Sequence, residues 1–310
     1  MKKSLKVIFF GNESLATGAE SNPLVLRALI ENGYDVCAVV VHERTATSRK
    51  AKKVATVVYA EEQNIPLYNP DKPLEIADDL RSMKADIGVL VAYGRIIPQE
   101  IIDIFPLGII NLHPSLLPKL RGPTPIETAI LEGLSETGVS IMKLVKQMDA
   151  GPVYAQESIV IEKGIPKQKL ANSLHILGVE TLLKVLGSLD NAEAAITEQV
   201  EPEATFCSLL SKTDGLIDWS EPAEIIERKV RAYSGWPKTY CELNGKRYVV
   251  CAVKVDNTTL ADQHGTVVLG STSLGVQTGQ GVIYITSIQP ENKGEMPIKA
   301  FLAGYRDKIS

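Results

Sequence analysis

The sequence predicts an α/β chain, with a mostly parallel β-sheet carrying helices on both faces and then a smaller antiparallel β-barrel. Three observations carry this. Short apolar runs rich in Val, Ile and Phe alternate with helical patterns through the first half. After about residue 195 the helical patterns give way to closely spaced strand runs punctuated by turn pairs. The 310 residues are 45% hydrophobic and 23% charged, the balance of a folded protein and not of a disordered, collagen-like or disulfide-stapled one.

Leu5–Phe10 is a short run rich in Val, Ile and Phe, apolar but for Lys6, the signature of a strand buried on both faces. Asn22-Pro23 offers a cap and a first-turn proline to a helix built on Leu24, Leu26, Ala28, Leu29 and Ile30, which Gly33 ends. Val36–Val41, Asp86–Ala92 and Gly108–Leu112 are further buried strands separated by helical stretches, which makes a βαβ pattern. Beyond the polar stretch Gly187–Pro202, strands are expected over Arg247–Val255, His264–Leu269, Leu274–Thr278 and Val282–Ile288. Asn244-Gly245 marks a hairpin, because both residues of that turn need positive φ. The expected division is a catalytic domain over 1–194, a linker over 195–211 and a barrel over 212–310.

Net charge is −4, from 33 Lys and Arg against 37 Asp and Glu, so nothing draws the whole chain toward nucleic acid. The dense basic cluster is local: Arg44, Arg49, Lys50, Lys52 and Lys53 outweigh a single Glu43. Such a run is either a solvated surface or, beside a cleft, a phosphate-binding one. Four cysteines with no Cys-x-x-Cys pair read as reduced thiols. The apolar run Val7–Phe10 is too short for a signal core or a membrane span, so a cytoplasmic location is expected.

The turn after the first strand, Gly11-Asn12-Glu13-Ser14, lacks the spacing of a dinucleotide fingerprint. No P-loop lysine and no G-x-S-x-G elbow occurs either. The chemistry-bearing segment is Asn111–Gly151. Asn111 and His113 leave the strand at Gly108–Leu112 on one side, at the carboxyl end where ligands of open parallel sheets bind. A carboxamide can donate to a developing oxyanion and an imidazole can move a proton, which suits acyl-group chemistry. Asp149, followed by a permissive glycine at 151, is the candidate to orient His113. Spacing alone allows a merely structural His–Asp hydrogen bond as well. His42, His175 and His264 share no ligand spacing with Asp or Cys, and no metal is expected.

Asn111-x-His113, Ser115-Leu116-Leu117-Pro118, Arg121-Gly122 and Asp149-x-Gly151 together resemble the 10-formyltetrahydrofolate-dependent formyltransferases. Ala85–Pro98 resembles the strand that walls the folate pocket in that family, and Thr137–Met142 the strand before its aspartate. Ile217-Asp218-Trp219, Arg231-Ala232, Gly235-Trp236-Pro237, Gln289-Pro290 and Phe301-Leu302-x-Gly304 resemble the branch that acts on methionyl-tRNA. The resemblance implies a Rossmann-like first domain and an OB-like second domain that binds tRNA. It also implies formyl transfer from 10-formyltetrahydrofolate to the α-amine of initiator methionyl-tRNA by direct attack.

Asn111, His113 and Asp149 are then the catalytic groups. Ser115, Leu116, Leu117, Pro118, Tyr93 and Ile97 become folate contacts, and Arg44, Arg49, Lys50, Lys52 and Lys53 tRNA contacts. A monomer with no obligate protein partner is the family expectation. The rivals are an amino-sugar nucleotide N-formyltransferase with the same site and an inactive RNA-binding relative. Two departures fall on the acceptor side. The basic loop lacks the family's glycines and prolines, and Gly11-Asn12-Glu13-Ser14 replaces a Gly-Thr-Pro-like turn.

Overall fold

The computed structural model describes residues 4–42 and 53–309. The chain divides into two compact units. One comprises Met1–Ile126, Ser135–Ile161 and Gln168–Ser208, the other Glu127–Leu134, Glu162–Lys167 and Leu209–Ser310.

The first unit is built on a seven-stranded sheet of β1 (Lys6–Gly11), β2 (Asp35–Val40), β3 (Leu67–Tyr68), β4 (Ile87–Val91), β5 (Ile109–His113), β6 (Glu136–Lys143) and β7 (Val153–Val160). Their order is β3-β2-β1-β4-β5-β6-β7. The first five are mutually parallel, and β6 and β7 are antiparallel. Val7, Ile8, Phe9 and Phe10 are all fully buried, as a strand covered on both faces requires. Its helices are α1 (Leu24–Glu31), α2 (Ala55–Glu62), α3 (Ala77–Met83), α4 (Gln99–Ile102) and, after its first residue, α6 (Lys167–Asp190), while α5 (Pro125–Glu132) belongs from Glu127 onward to the second unit. Of these, α6 is pressed onto β5. A Cβ at Gly178 would lie 2.6 Å from Leu112 Cδ1, so a larger residue there would force that side chain to move. Leu112 therefore faces α6, and strand alternation turns Asn111 and His113 to the opposite face.

Asn22 does not cap α1. Pro23 is the N-cap residue and no side chain of the flanking turn bonds the first amides. They are taken by a carboxylate from further upstream: Glu13 Oε2 accepts from Val25 N (2.7 Å) and Oε1 from Leu26 N (3.1 Å). Gly33, at φ 80°, ends the helix as the sequence implies.

The second unit holds α7 (Ala223–Ala232), β8 (Tyr240–Leu243), β9 (Lys246–Asp256), β10 (Val267–Leu269), β11 (Leu274–Gln277), β12 (Val282–Pro290), β13 (Met296–Pro297) and α8 (Ile298–Tyr305). The strands form an antiparallel half-barrel in the order β10-β11-β12-β9-β8, with β13 on β12. Asn244 (φ 46°) and Gly245 (φ 70°) make the two-residue turn between β8 and β9, where Leu243 pairs with Lys246. Ile226 and Val230 of α7 and Phe301 of α8 close its core with Val250, Val276, Ile285 and Ile288.

All four cysteines are free thiols. Burial pushes Cys241 up to about 12 and Cys251 up to about 11, which keeps both protonated and poorly reactive. Among the described residues, no helix is long and apolar enough to cross a membrane.

Candidate active site

Strand β5 carries Asn111 and His113 at the seam where the sheet changes from parallel to antiparallel. Asn111 stands beside Leu90 of β4 and Met142 of β6, and His113 beside Ser140. Asn111 is 7% exposed, and among the described residues its carboxamide has no hydrogen-bond partner. The imidazole of His113 is buried. Its Nε2 lies 3.0 Å from the carbonyl oxygen of Leu120, which can only accept, so that nitrogen carries a proton when the bond is made. Nδ1 faces Asp149 Oδ2 at 3.7 Å, close enough for electrostatic coupling but beyond a hydrogen bond.

Asp149 reaches this position by an indirect route. Because β6 runs antiparallel to β5, it delivers the chain to the amino end of β5, where Leu144 N bonds Ile109 O (2.7 Å). The β6–β7 loop then folds back along the strand to bring Asp149 to His113. Gly151 permits the reversal, since a Cβ there would meet the carbonyl oxygen of Lys143. Asp149 itself takes the left-handed conformation (φ 49°), which Asp tolerates better than most residues. Its Oδ2 also accepts from Gly122 N at 2.8 Å.

The Ser115–Pro118 loop is held from below. Ser140 Oγ donates to Ser115 O (2.6 Å) and accepts from Leu117 N (3.0 Å), and Gln156 Nε2 donates to Leu117 O (2.7 Å). Ser115 Oγ is spent on Lys119 O at 2.6 Å. Ser115 and Leu117 are buried, while Leu116 and Pro118 remain half-buried. Tyr93 and Ile97 belong to the core cluster that includes Ile8, Phe10 and Phe105. Tyr93 stacks edge-on against Phe10 with ring centroids 5.9 Å apart, and its hydroxyl is sealed from solvent without an acceptor among the described residues. Burial raises its phenol above the usual range.

Arg44, Arg49, Lys50 and Lys52 lie outside the described residues. Lys53 is described, and its Nζ pairs with Glu61 Oε1 at 2.7 Å. His42 accepts from Arg95 Nε (3.1 Å), and His175 bonds Glu13 Oε2 (2.8 Å). Among the described residues no group of His, Cys, Asp and Glu could hold a metal ion.

Sequence reasoning missed the residues around 197–208, read as part of a linker. Thr197 pairs with Val153, Phe206 pairs with Arg121, and Thr205 Oγ1 accepts from Leu120 N at 2.9 Å. Their partners are about 45 to 85 positions away, and no periodicity announces such contacts.

Residues 5–186 match the family described as formyl transferase, and residues 209–306 match its C-terminal domain. The chain belongs to the formyltransferase family. Two relatives of this formyltransferase, both named methionyl-tRNA formyltransferase, come from Chloroflexus aggregans and Enterococcus faecalis. Each is 36% identical; the first alignment covers 97% of both chains, the second 98% of this chain and 97% of the relative. Among solved structures, HypX from Aquifex aeolicus in complex with tetrahydrofolic acid shares the fold (TM-score 0.66, 18% identity, 99% of this chain and 48% of that one). The N-formyltransferase of Helicobacter canadensis, in complex with folinic acid and dTDP-3-aminofucose, does so too (TM-score 0.68, 16% identity, 91% of this chain and 98% of that one).

Proposed function

We propose that this formyltransferase moves the formyl group of 10-formyltetrahydrofolate to the α-amine of initiator methionyl-tRNA, an acceptor used in translation initiation. The chemistry rests on one observation: His113 and Asp149 meet 3.7 Å apart on a face shared with the unpartnered carboxamide of Asn111. The acceptor rests on relatives of that name matching both halves of the chain.

The deprotonated amine attacks the formyl carbon directly, and no covalent enzyme intermediate is needed. As the C–N bond forms, the carbonyl oxygen gains charge, and Asn111 Nδ2 donates to it. His113 exchanges Leu120 O for the reacting group, and helps move one proton from the attacking amine toward the departing folate nitrogen. Asp149 orients the ring and balances the positive charge that arises when it holds a second proton. Collapse breaks the old C–N bond, so tetrahydrofolate and formylmethionyl-tRNA leave. The donor would lie against Leu116 and Pro118, with Ser115 and Leu117 shaping the loop and Tyr93 and Ile97 supporting it from the core. The half-barrel would add tRNA affinity without catalytic groups.

Purified protein given 10-formyltetrahydrofolate should formylate methionyl-tRNA and leave an amino-sugar nucleotide untouched; the reverse preference would overturn the acceptor assignment. The basic loop gives a second test. Replacing Arg44, Arg49, Lys50 and Lys52 with Ala should weaken tRNA binding and lower the slope of log affinity against log salt by about 0.7–0.9 per lost phosphate contact. An unchanged slope would make the cluster a solvated surface.

A further inference from the structure

The two loops that contact His113 are tied together by one carboxamide. Gln199 Nε2 donates to the carbonyl oxygens of Asp149 (2.8 Å) and Gly151 (2.7 Å). Its Oε1 accepts from Arg121 Nε at 3.0 Å. Both N–H donors and the carbonyl are thereby engaged. Arg121 is in turn fixed by Glu201, whose carboxylate receives Nη1 (3.1 Å) and Nη2 (2.9 Å) as a fork. Those bonds from Arg121 hold the Glu201 carboxyl below its ordinary range.

The positions on either side of Arg121 matter most. Leu120 supplies the carbonyl that receives His113 Nε2, and Gly122 supplies the amide that binds Asp149 Oδ2. The Arg121 backbone is anchored as well, through Thr205 O (2.9 Å) and Cys207 N (2.8 Å). Asp149 sits in a left-handed conformation, tolerable for Asp but still helped by contacts that fix the backbone there. Gln199 bonds the carbonyl oxygen of that very residue.

We propose that Gln199 is a positioning residue for formyl transfer, setting the distance between Asp149 and His113 by locking the Asp149–Gly151 loop to Arg121. It touches no substrate and acts through Asp149. The inference deepens the proposed function and rests on Asp149 serving His113 in that reaction.

The test compares Gln199→Leu, Gln199→Glu, Asp149→Asn and the double variant Gln199→Leu/Asp149→Asn, with 10-formyltetrahydrofolate and methionyl-tRNA as substrates. Gln199→Leu should lower kcat roughly 10- to 100-fold, the cost of a misplacement near 1 Å, while both KM values stay within about twofold. Gln199→Glu keeps the volume and the acceptor for Arg121 but turns carboxylate oxygens on two carbonyls. It should show the same kcat loss with the melting temperature retained, and it decides the matter if the Leu variant fails to fold. The double variant should be no slower than Asp149→Asn alone, within about twofold, because Gln199 has nothing left to position. Multiplying losses, or a full kcat in the Gln199 variants beside a crippled Asp149→Asn, would overturn the inference. Full activity in Asp149→Asn would instead overturn the reading of the site itself.

Discussion

Asn111→Ala should lower kcat about 100- to 1,000-fold, the usual consequence of removing one oxyanion donor, with both KM values little changed. The substitution is clean for a structural reason. Among the described residues the carboxamide bonds nothing, so its removal orphans no buried partner, and the thermal unfolding midpoint should barely move. His113→Ala would be harder to interpret, since among the described residues it leaves Leu120 O with only the weak thiol donor of Cys207 and Asp149 beside a cavity. Steady-state kinetics with saturating donor, paired with a melting curve, gives the result. A variant within tenfold of the parent kcat would place the oxyanion away from Asn111.

Glu13→Ala should be the most damaging single change to stability in the first unit. The Glu13 side chain is fully buried and receives three donors: Val25 N, Leu26 N and His175 Nε2. Truncation leaves two amides at the start of α1 and an imidazole on α6 without their acceptor. Leaving a buried donor without its acceptor costs about 1–3 kcal/mol, and for these three donors together we expect a loss of about 3–5 kcal/mol. For a unit of this size that is a fall of roughly 6–20 °C in melting temperature. Glu13→Gln keeps the shape and one acceptor oxygen and should lose markedly less. If Glu13→Ala melts within a degree or two of the parent, water satisfies these donors and the pair contributes little. The same carboxylate explains why a parallel sheet with a glycine after β1 need not bind a dinucleotide: the helix N-terminus that would hold a pyrophosphate is already filled by Glu13.

The fold class was legible because burial on both faces writes itself into composition. A buried stretch such as Val7–Phe10 must be apolar at every position, and the Asn244-Gly245 turn needs two residues that accept positive φ. Asn111 and His113 were legible for the same local reason, since alternate positions on one strand share a face whatever lies elsewhere. The glycine at 151 already suggested Asp149 and the family resemblance favoured it, but nothing local showed how it arrives. An apolar strand reads alike in parallel and antiparallel pairing, so only the assembled sheet revealed that β6 runs against β5 and that the Asp149 loop must double back.

Gln199 and Glu201 looked like polar linker, and Glu13 like a turn residue, until partners about 50 to 160 positions away were brought beside them. Tyr93 and Ile97, expected along a folate pocket, packed into the core with Phe10. Local patterning thus determined the elements and set the two candidate site residues on one strand. The place of the third candidate, its brace and the buried cap were decided by tertiary structure, because a hydrogen bond between distant segments leaves no period in either of them.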